Sequence, residues 1–179
     1  MSYYYLFYRA NDGSIIENIG RKTLQSTPNG GIMAKGIVEY NTELATISRG
    51  FLNKIDYKGI GGIEFKKYNE KFYFIEMSTR LEGFFKIAEI SNSPLSLLSY
   101  YDLSHNIKKR DALLNSKQND GMMYMDFIPT LVTKVKSRKY ISFIGDVFNA
   151  IFSPKTKLNV FSMSDPKPFF LTLKNLIVR

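Results

Sequence analysis

Short apolar runs broken by polar turns fill most of the first eighty residues, and apolar positions three or four apart dominate the remainder of the chain. Tyr3–Tyr8 predicts an aromatic strand. Asn11-Asp12-Gly13 is a strong turn signal leading into a second strand over Ser14–Ile19, so the chain opens on a hairpin. Gly20-Arg21-Lys22 precedes Thr27-Pro28-Asn29-Gly30-Gly31, a run suited to a loop. Ile32–Tyr40 reads as a further strand. After it, Asn41 or Thr42 can cap a helix with Leu44, Ile47, Phe51, Leu52 and Ile55 on one stripe, expected to pack on the sheet. Asp56–Gly62 ends that helix.

The next stretch, Gly59–Arg80, predicts two strands. Ile63, Phe65, Tyr73, Ile75 and Met77 alternate with Glu64, Lys66, Phe72, Phe74 and Glu76 around a polar break at Asn69-Glu70-Lys71. A three-residue loop there sets Tyr68 opposite Phe72 and Glu64 opposite Glu76, with Phe72 and Phe74 on the same face as the carboxylates. A loop one residue shorter sends the two carboxylates to opposite faces. Facing carboxylates destabilise a strand pair unless a cation lies between them, and Mg²⁺ suits a site of one or two carboxylates completed by phosphates and water.

Downstream, Glu82–Ser91 predicts a helix burying Phe84, Phe85, Ile87, Ala88 and Ile90, and Ser93-Pro94 starts another through Leu103. Met122–Ile128 reads as a strand ended by Pro129. Ile141–Phe152 has Ile144, Val147, Phe148 and Ile151 at helical spacing around Asp146 and Asn149, and reads as a core or subunit-contact helix ahead of a membrane-surface helix, since its polar face is not strongly basic. Strands paired with helices in this order point to an α+β fold, an antiparallel sheet with packed helices. His105 follows a helix without a second histidine, and reads as a helix-end residue rather than a base.

Composition adds three constraints. With 179 residues, 44% hydrophobic and 15% aromatic, the chain can build a folded core. It has no cysteine, which fits a reducing cytoplasm and excludes disulfides and thiolate metal sites. It has neither a signal-peptide pattern at its start nor an apolar run long enough to span a bilayer. The net charge of +9 is uneven: residues 1–99 hold 12 Lys and Arg against 10 Asp and Glu, and residues 100–179 hold 13 against 6. Lys108-Lys109-Arg110 and Lys134–Lys139 are the densest clusters and could meet an anionic partner. No recognisable nucleic-acid-binding module accompanies them.

Glu64, Glu76, Ser78 and Arg80 together resemble the closing metal-and-phosphate hairpin of the ATP-grasp superfamily, Glu…Glu-x-Asn-x-Arg, and FYFIEMSTR is especially similar to that hairpin in biotin carboxylases. The continuation LEGFFKIAEISNSPLSLLSYYDLS resembles instead the carboxylate–amine ligases of the superfamily, as does SDPKPFF, which is similar to their Asp-Pro-x-Pro segment. The resemblance implies the C-terminal lobe of an ATP-grasp fold over residues 1–104, with residues 105–179 as an extension packing on it. It also implies ATP and Mg²⁺ as cofactors, and small-molecule carboxylate and amine substrates. Glu64, Glu76 and Ser78 become the metal ligands, Arg80 the residue offsetting charge on an acyl phosphate, and Arg21 and Lys22 cofactor-binding groups.

Two departures accompany it. The first lobe of such enzymes, with its phosphate-covering loop, has no counterpart here, so the resemblance implies a C-terminal portion inactive alone. Ser78 stands where the family has Asn, and a hydroxyl is the weaker ligand. The exposed lobe face would then dimerise, meet a partner chain carrying the missing lobe, or be covered by the Ile141–Phe152 helix. A non-catalytic partner-binding lobe and a basic module for nucleic acid or another polyanion are the competing classes.

Overall fold

The aromatic run near the start forms the central strand β1 (Ser2–Arg9), buried at every position from Tyr3 to Arg9. It is flanked antiparallel by β2 (Ile15–Thr27) and β4 (Gly59–Tyr68), and both its faces are covered. A strand covered on both faces has no solvent side, which is why β1 reads as continuous apolar sequence. The computed structural model describes every residue except 28, 29, 163, 178 and 179. Among those described, seven strands form one sheet in the order β5-β4-β1-β2-β3-β6-β7. Here β3 is Gly30–Val38, β5 Lys71–Ser78, β6 Met123–Met125 and β7 Thr156–Leu158. All neighbours are antiparallel except β6 and β7. The α+β expectation holds.

Helix α1 (Thr42–Lys54) covers one face. Asn41 is its cap, its side-chain oxygen accepting from the Leu44 amide at 2.9 Å. The buried stripe is Leu44, Ala45, Ser48 and Leu52, packed with Tyr3, Tyr5, Phe7, Ile63 and Phe65. Ile47 and Ile55, expected on that stripe, are exposed. Leu44, Ser48 and Leu52 are four apart, and that row turns Ile47 and Ile55 away from the sheet.

The other face of the sheet is covered by α2 (Lys86–Ile90), α3 (Leu95–Leu103) and α4 (Ile107–Leu114). Phe84, Phe85, Ile87, Ala88, Leu95 and Leu98 meet Tyr4, Leu6 and Tyr8 there. The helix expected from Glu82 begins only at Lys86, with Phe84 and Phe85 buried in the turn before it. His105 lies exposed just beyond α3 with φ 56°, a helix-end conformation.

The segment after residue 120 departs further from expectation. The strand predicted over Met122–Ile128 is only three residues long, and Pro129 sits in the first turn of α5 (Phe127–Lys136) instead of ending a strand. First-turn amides have no intrahelical acceptor, so a proline costs the helix nothing there. Helix α6 (Tyr140–Phe152) packs on α5 and β7, and α7 (Lys167–Ile177) brings Phe169 against Phe127. Thus α6 lies beside the β7 edge, at the opposite end of the sheet from the β4–β5 hairpin, and does not fold over it. No described helix is long and apolar enough to cross a membrane.

Candidate functional site

The β4–β5 hairpin reaches the anticipated carboxylate pairing by an unanticipated route. Its turn has two residues, Asn69 and Glu70, with φ 45° and 58°, and Tyr68 pairs with Lys71. Both residues lie in the left-handed region, as a two-residue hairpin turn requires. From that turn Lys67 pairs with Phe72, Lys66 with Tyr73 and Phe65 with Phe74. That register alone would set Glu64 against Ile75. A bulge intervenes: Ile75 is an extra residue, and Glu64 pairs with Glu76, Ile63 with Met77 and Gly62 with Ser78.

The bulge divides the strand into two halves of opposite parity. Beyond it, Glu76 and Ser78 share with Glu64 the face that carries Tyr4. Before it, Phe72 and Phe74 lie on the α1 face, where Phe72 meets Tyr3 edge-on at 5.2 Å and Phe74 meets Phe51 at 5.2 Å. The expectation that Phe72 and Phe74 line the carboxylate face is therefore corrected. One inserted residue keeps the carboxylates together and sends the aromatics to the other side.

Lys22 reaches Glu64 from β2. Its ammonium is ion-paired with the Glu64 carboxylate and stands 4.9 Å above the Phe84 ring, with the side chain almost wholly buried. Lys22 pairs with Ser2 on β1 while Glu64 pairs with Tyr4, which makes the ion pair a diagonal across the central strand. Arg21 points to the other side, where it donates to Glu39 at 2.9 Å. Of the two basic residues, only Lys22 therefore shares the carboxylate face. Glu76 is exposed, and its side chain makes neither an ion pair nor a hydrogen bond among the described residues. Arg80 is also exposed, and donates to the Leu81 carbonyl at 3.3 Å.

One further carboxylate escaped the sequence reading. A Cβ built on Gly62 would meet the Glu82 side chain at 3.2 Å, so Glu82 lies across the same face, in room that glycine leaves. Its signal was spatial, since nothing in LEGFF marks Glu82 as a neighbour of Glu64. Even so, the described residues contain no group of three acidic, histidine or cysteine side chains close enough to hold a metal ion. The donors expected from the sequence, Glu64, Glu76 and Ser78, would offer two carboxylates and a hydroxyl, with Glu64 already ion-paired to Lys22. That suits Mg²⁺ held partly by phosphates and not a cage made wholly of protein.

Next to Lys22 opens a cleft of about 580 Å³ where the N-terminus and β2 face the end of α5. Lys22, Lys66, Lys136 and Lys139 line it with the hydroxyl residues Ser2, Thr23 and Ser137. Thr27, the first residue of the expected loop Thr27–Gly31, lines it, and Pro28 and Asn29 lie outside the described residues. Of the two basic clusters noted in the sequence, Lys134–Lys139 reaches this cleft. In the other, Arg110 is held by Asp12 and Asp102, each at 3.1 Å, and by Asp111 at 2.8 Å.

No family model and no curated protein matches the chain. Among solved structures it is similar to the phosphoribosylaminoimidazole carboxylase ATPase subunit from Aquifex aeolicus, at 13% identity and a TM-score of 0.49, over 58% of this chain and 34% of that one. It is also similar to N5-carboxyaminoimidazole ribonucleotide synthetase from Thermus thermophilus, at 15% identity and a TM-score of 0.44, over 56% of this chain and 29% of that one. The chain spans about a third of the length of these structures, and their activities belong to those proteins.

Proposed function

We propose that the chain forms the metal-and-phosphate wall of an ATP-dependent carboxylate–amine ligase. The observation that carries this reading is the bulge at Ile75. It places Glu64 and Glu76 opposite each other on one face although the turn has an even number of residues. An ordinary exposed hairpin has no need of such a correction, and two facing carboxylates destabilise it unless a cation is supplied. Lys22 supplies one charge to Glu64, which leaves Glu76 unneutralised.

In the reaction of this class, the substrate carboxylate attacks the terminal phosphorus of ATP and ADP leaves. The amine then displaces phosphate from the acyl phosphate, giving the amide and inorganic phosphate. Glu64, Glu76 and the weaker Ser78 hydroxyl would hold Mg²⁺ against the nucleotide phosphates, where the ion supplies charge neutralisation. Lys22 keeps Glu64 oriented at that face. Arg80, exposed beyond the hairpin, would turn toward the acyl phosphate and offset its charge. Because phosphoryl transfer depends on gripping and positioning the phosphates, this lobe without a phosphate-covering loop turns over no appreciable ATP alone.

Calorimetric titration with ATP tests the reading. The expected result is weak binding that requires Mg²⁺ and falls at least about tenfold in Glu76→Gln, the loss of one charge-assisted ligand. Binding indifferent to both Mg²⁺ and Glu76→Gln would overturn it. The four-lysine cleft supports a second reading, a module for polyanions. That reading expects affinity steep in salt and unaffected by Glu76→Gln.

A further inference from the structure

Helix α6 has no buried residue, yet nine of its thirteen side chains are apolar or aromatic. Ile141, Ile144, Phe148 and Phe152 recur three or four positions apart, so they share one face, and each is between 60% and 87% exposed. The Phe148 and Phe152 rings stack with centroids 4.4 Å apart, which makes the stripe a continuous ridge. The opposite side is firmly attached. Asp146 is ion-paired with Lys35 of β3 at 2.5 Å and with Lys134 of α5 at 3.3 Å, and Phe143 packs on Phe127 at 5.6 Å. The ridge is thus held outward by the fold.

Its surroundings are basic at both ends. Lys136, Arg138 and Lys139 stand exposed before the helix, and Lys155 and Lys157 follow it. Between residues 134 and 165 the acids are Asp146, already paired inward, and Asp165, exposed beyond β7, while Asp126 before α5 accepts from Asn159 at 2.8 Å. Two copies stacked through α6, parallel or antiparallel, would set basic ends against basic ends, which disfavours a self-complementary dimer. A convex ridge also suits a deformable surface better than a preformed groove. An apolar cleft of about 260 Å³ between α6 and α7 opens beside it, lined by Val147, Ala150, Ile151, Phe161, Phe169 and Leu173, a space that fits part of an acyl chain.

We infer that α6 docks the protein on an anionic lipid surface. The apolar ridge enters the boundary between headgroups and acyl chains, and the flanking lysines and Arg138 meet anionic headgroups. The ridge itself is separate from the hairpin face, so the serine substitutions leave the ligase reading untouched, whereas Lys136 and Lys139 also line the cleft beside Lys22.

Flotation of the 179-residue chain with vesicles tests it, using phosphatidylcholine alone and phosphatidylcholine with about 30% phosphatidylserine. Wild type should float with the anionic vesicles only, and less as salt rises. The Ile144→Ser, Phe148→Ser variant should bind at least about tenfold more weakly, and the Lys136→Glu, Lys139→Glu variant should lose the preference for anionic lipid. Matching far-UV circular dichroism establishes that each variant is folded. Should the double-serine variant unfold, Ile141→Ser replaces it. The inference is overturned if wild type ignores anionic vesicles, floats equally with neutral ones, or floats undiminished after the serine substitutions. Dimerisation through the ridge in place of flotation, seen by light scattering, also overturns it.

Discussion

The two parts of the chain on either side of residue 104 spend their apolar side chains differently. Before it, β1 alone buries Tyr3 through Tyr8, and two clusters fill both sides of the sheet. After it, Tyr124 and Met125 of β6 are the buried hydrophobic residues among those described, while Ile141, Ile144, Phe148, Phe152 and Phe170 stand exposed. Both parts are rich in apolar residues, so composition does not separate them. The distinction is that side chains from strands and helices interleave in the first part, whereas α6, outside α5 and beside β7, is covered on one side only. Apolar sequence therefore makes a core where elements cover one another, and a surface where they do not.

This contrast can be tested through stability, and the largest expected effect is alkaline. Burial raises the phenol pKa of Tyr4, Tyr5, Tyr8 and Tyr124 above the ordinary value near 10, with nearby carboxylates adding to the shift. Above pH 10 the unfolded chain loses these protons and the folded chain keeps them. The folded state then binds more protons, so stability is complete below pH 10 and falls as pH rises. Each phenol contributes up to about 1.4 kcal/mol per pH unit above 10, an upper limit of roughly 6 kcal/mol per pH unit for the four. Urea unfolding measured from pH 8 to about pH 11 should show that fall, and a flat profile would mean that the phenols are accessible.

Phe7→Ala comes next. Phe7 is fully buried, against Tyr5 at 5.7 Å and Tyr57 at 5.8 Å, and its truncation should cost about 3–5 kcal/mol in denaturant unfolding. Tyr8→Phe should cost less, about 1.5–3 kcal/mol. It removes the 2.6 Å hydrogen bond to Asp102, which Arg110 still holds at 3.1 Å. Smallest of all, Ile144→Ser with Phe148→Ser should change unfolding by no more than about 0.5 kcal/mol, because neither side chain is covered. A loss comparable to that of Phe7→Ala would erase the distinction between the two parts.

Much of the fold was legible because its signals are local. Asn41 could be read as a cap and Asn11-Asp12-Gly13 as a turn, since each depends on neighbours in sequence. The exposure of Ile47 and the first-turn place of Pro129 were not legible, because each depends on what the element packs against. The same holds for Lys22 and Glu82. One crosses the central strand to reach Glu64, and the other occupies space left by Gly62.

The hairpin marks the boundary most sharply. Alternation of apolar and polar residues determined that Gly59–Arg80 would form two strands, but the facing of Glu64 and Glu76 was expected from a three-residue loop that the chain does not form. Tertiary structure decided their pairing. Asn69-Glu70 closed a two-residue turn whose register would have parted the carboxylates, and the extra residue Ile75 restored them while sending Phe72 and Phe74 toward α1. The pattern of a strand has period two and is blind to a single inserted residue. Where that residue is placed depends on packing across the sheet, in which Phe74 gains Phe51 and Phe65 as neighbours on the α1 side.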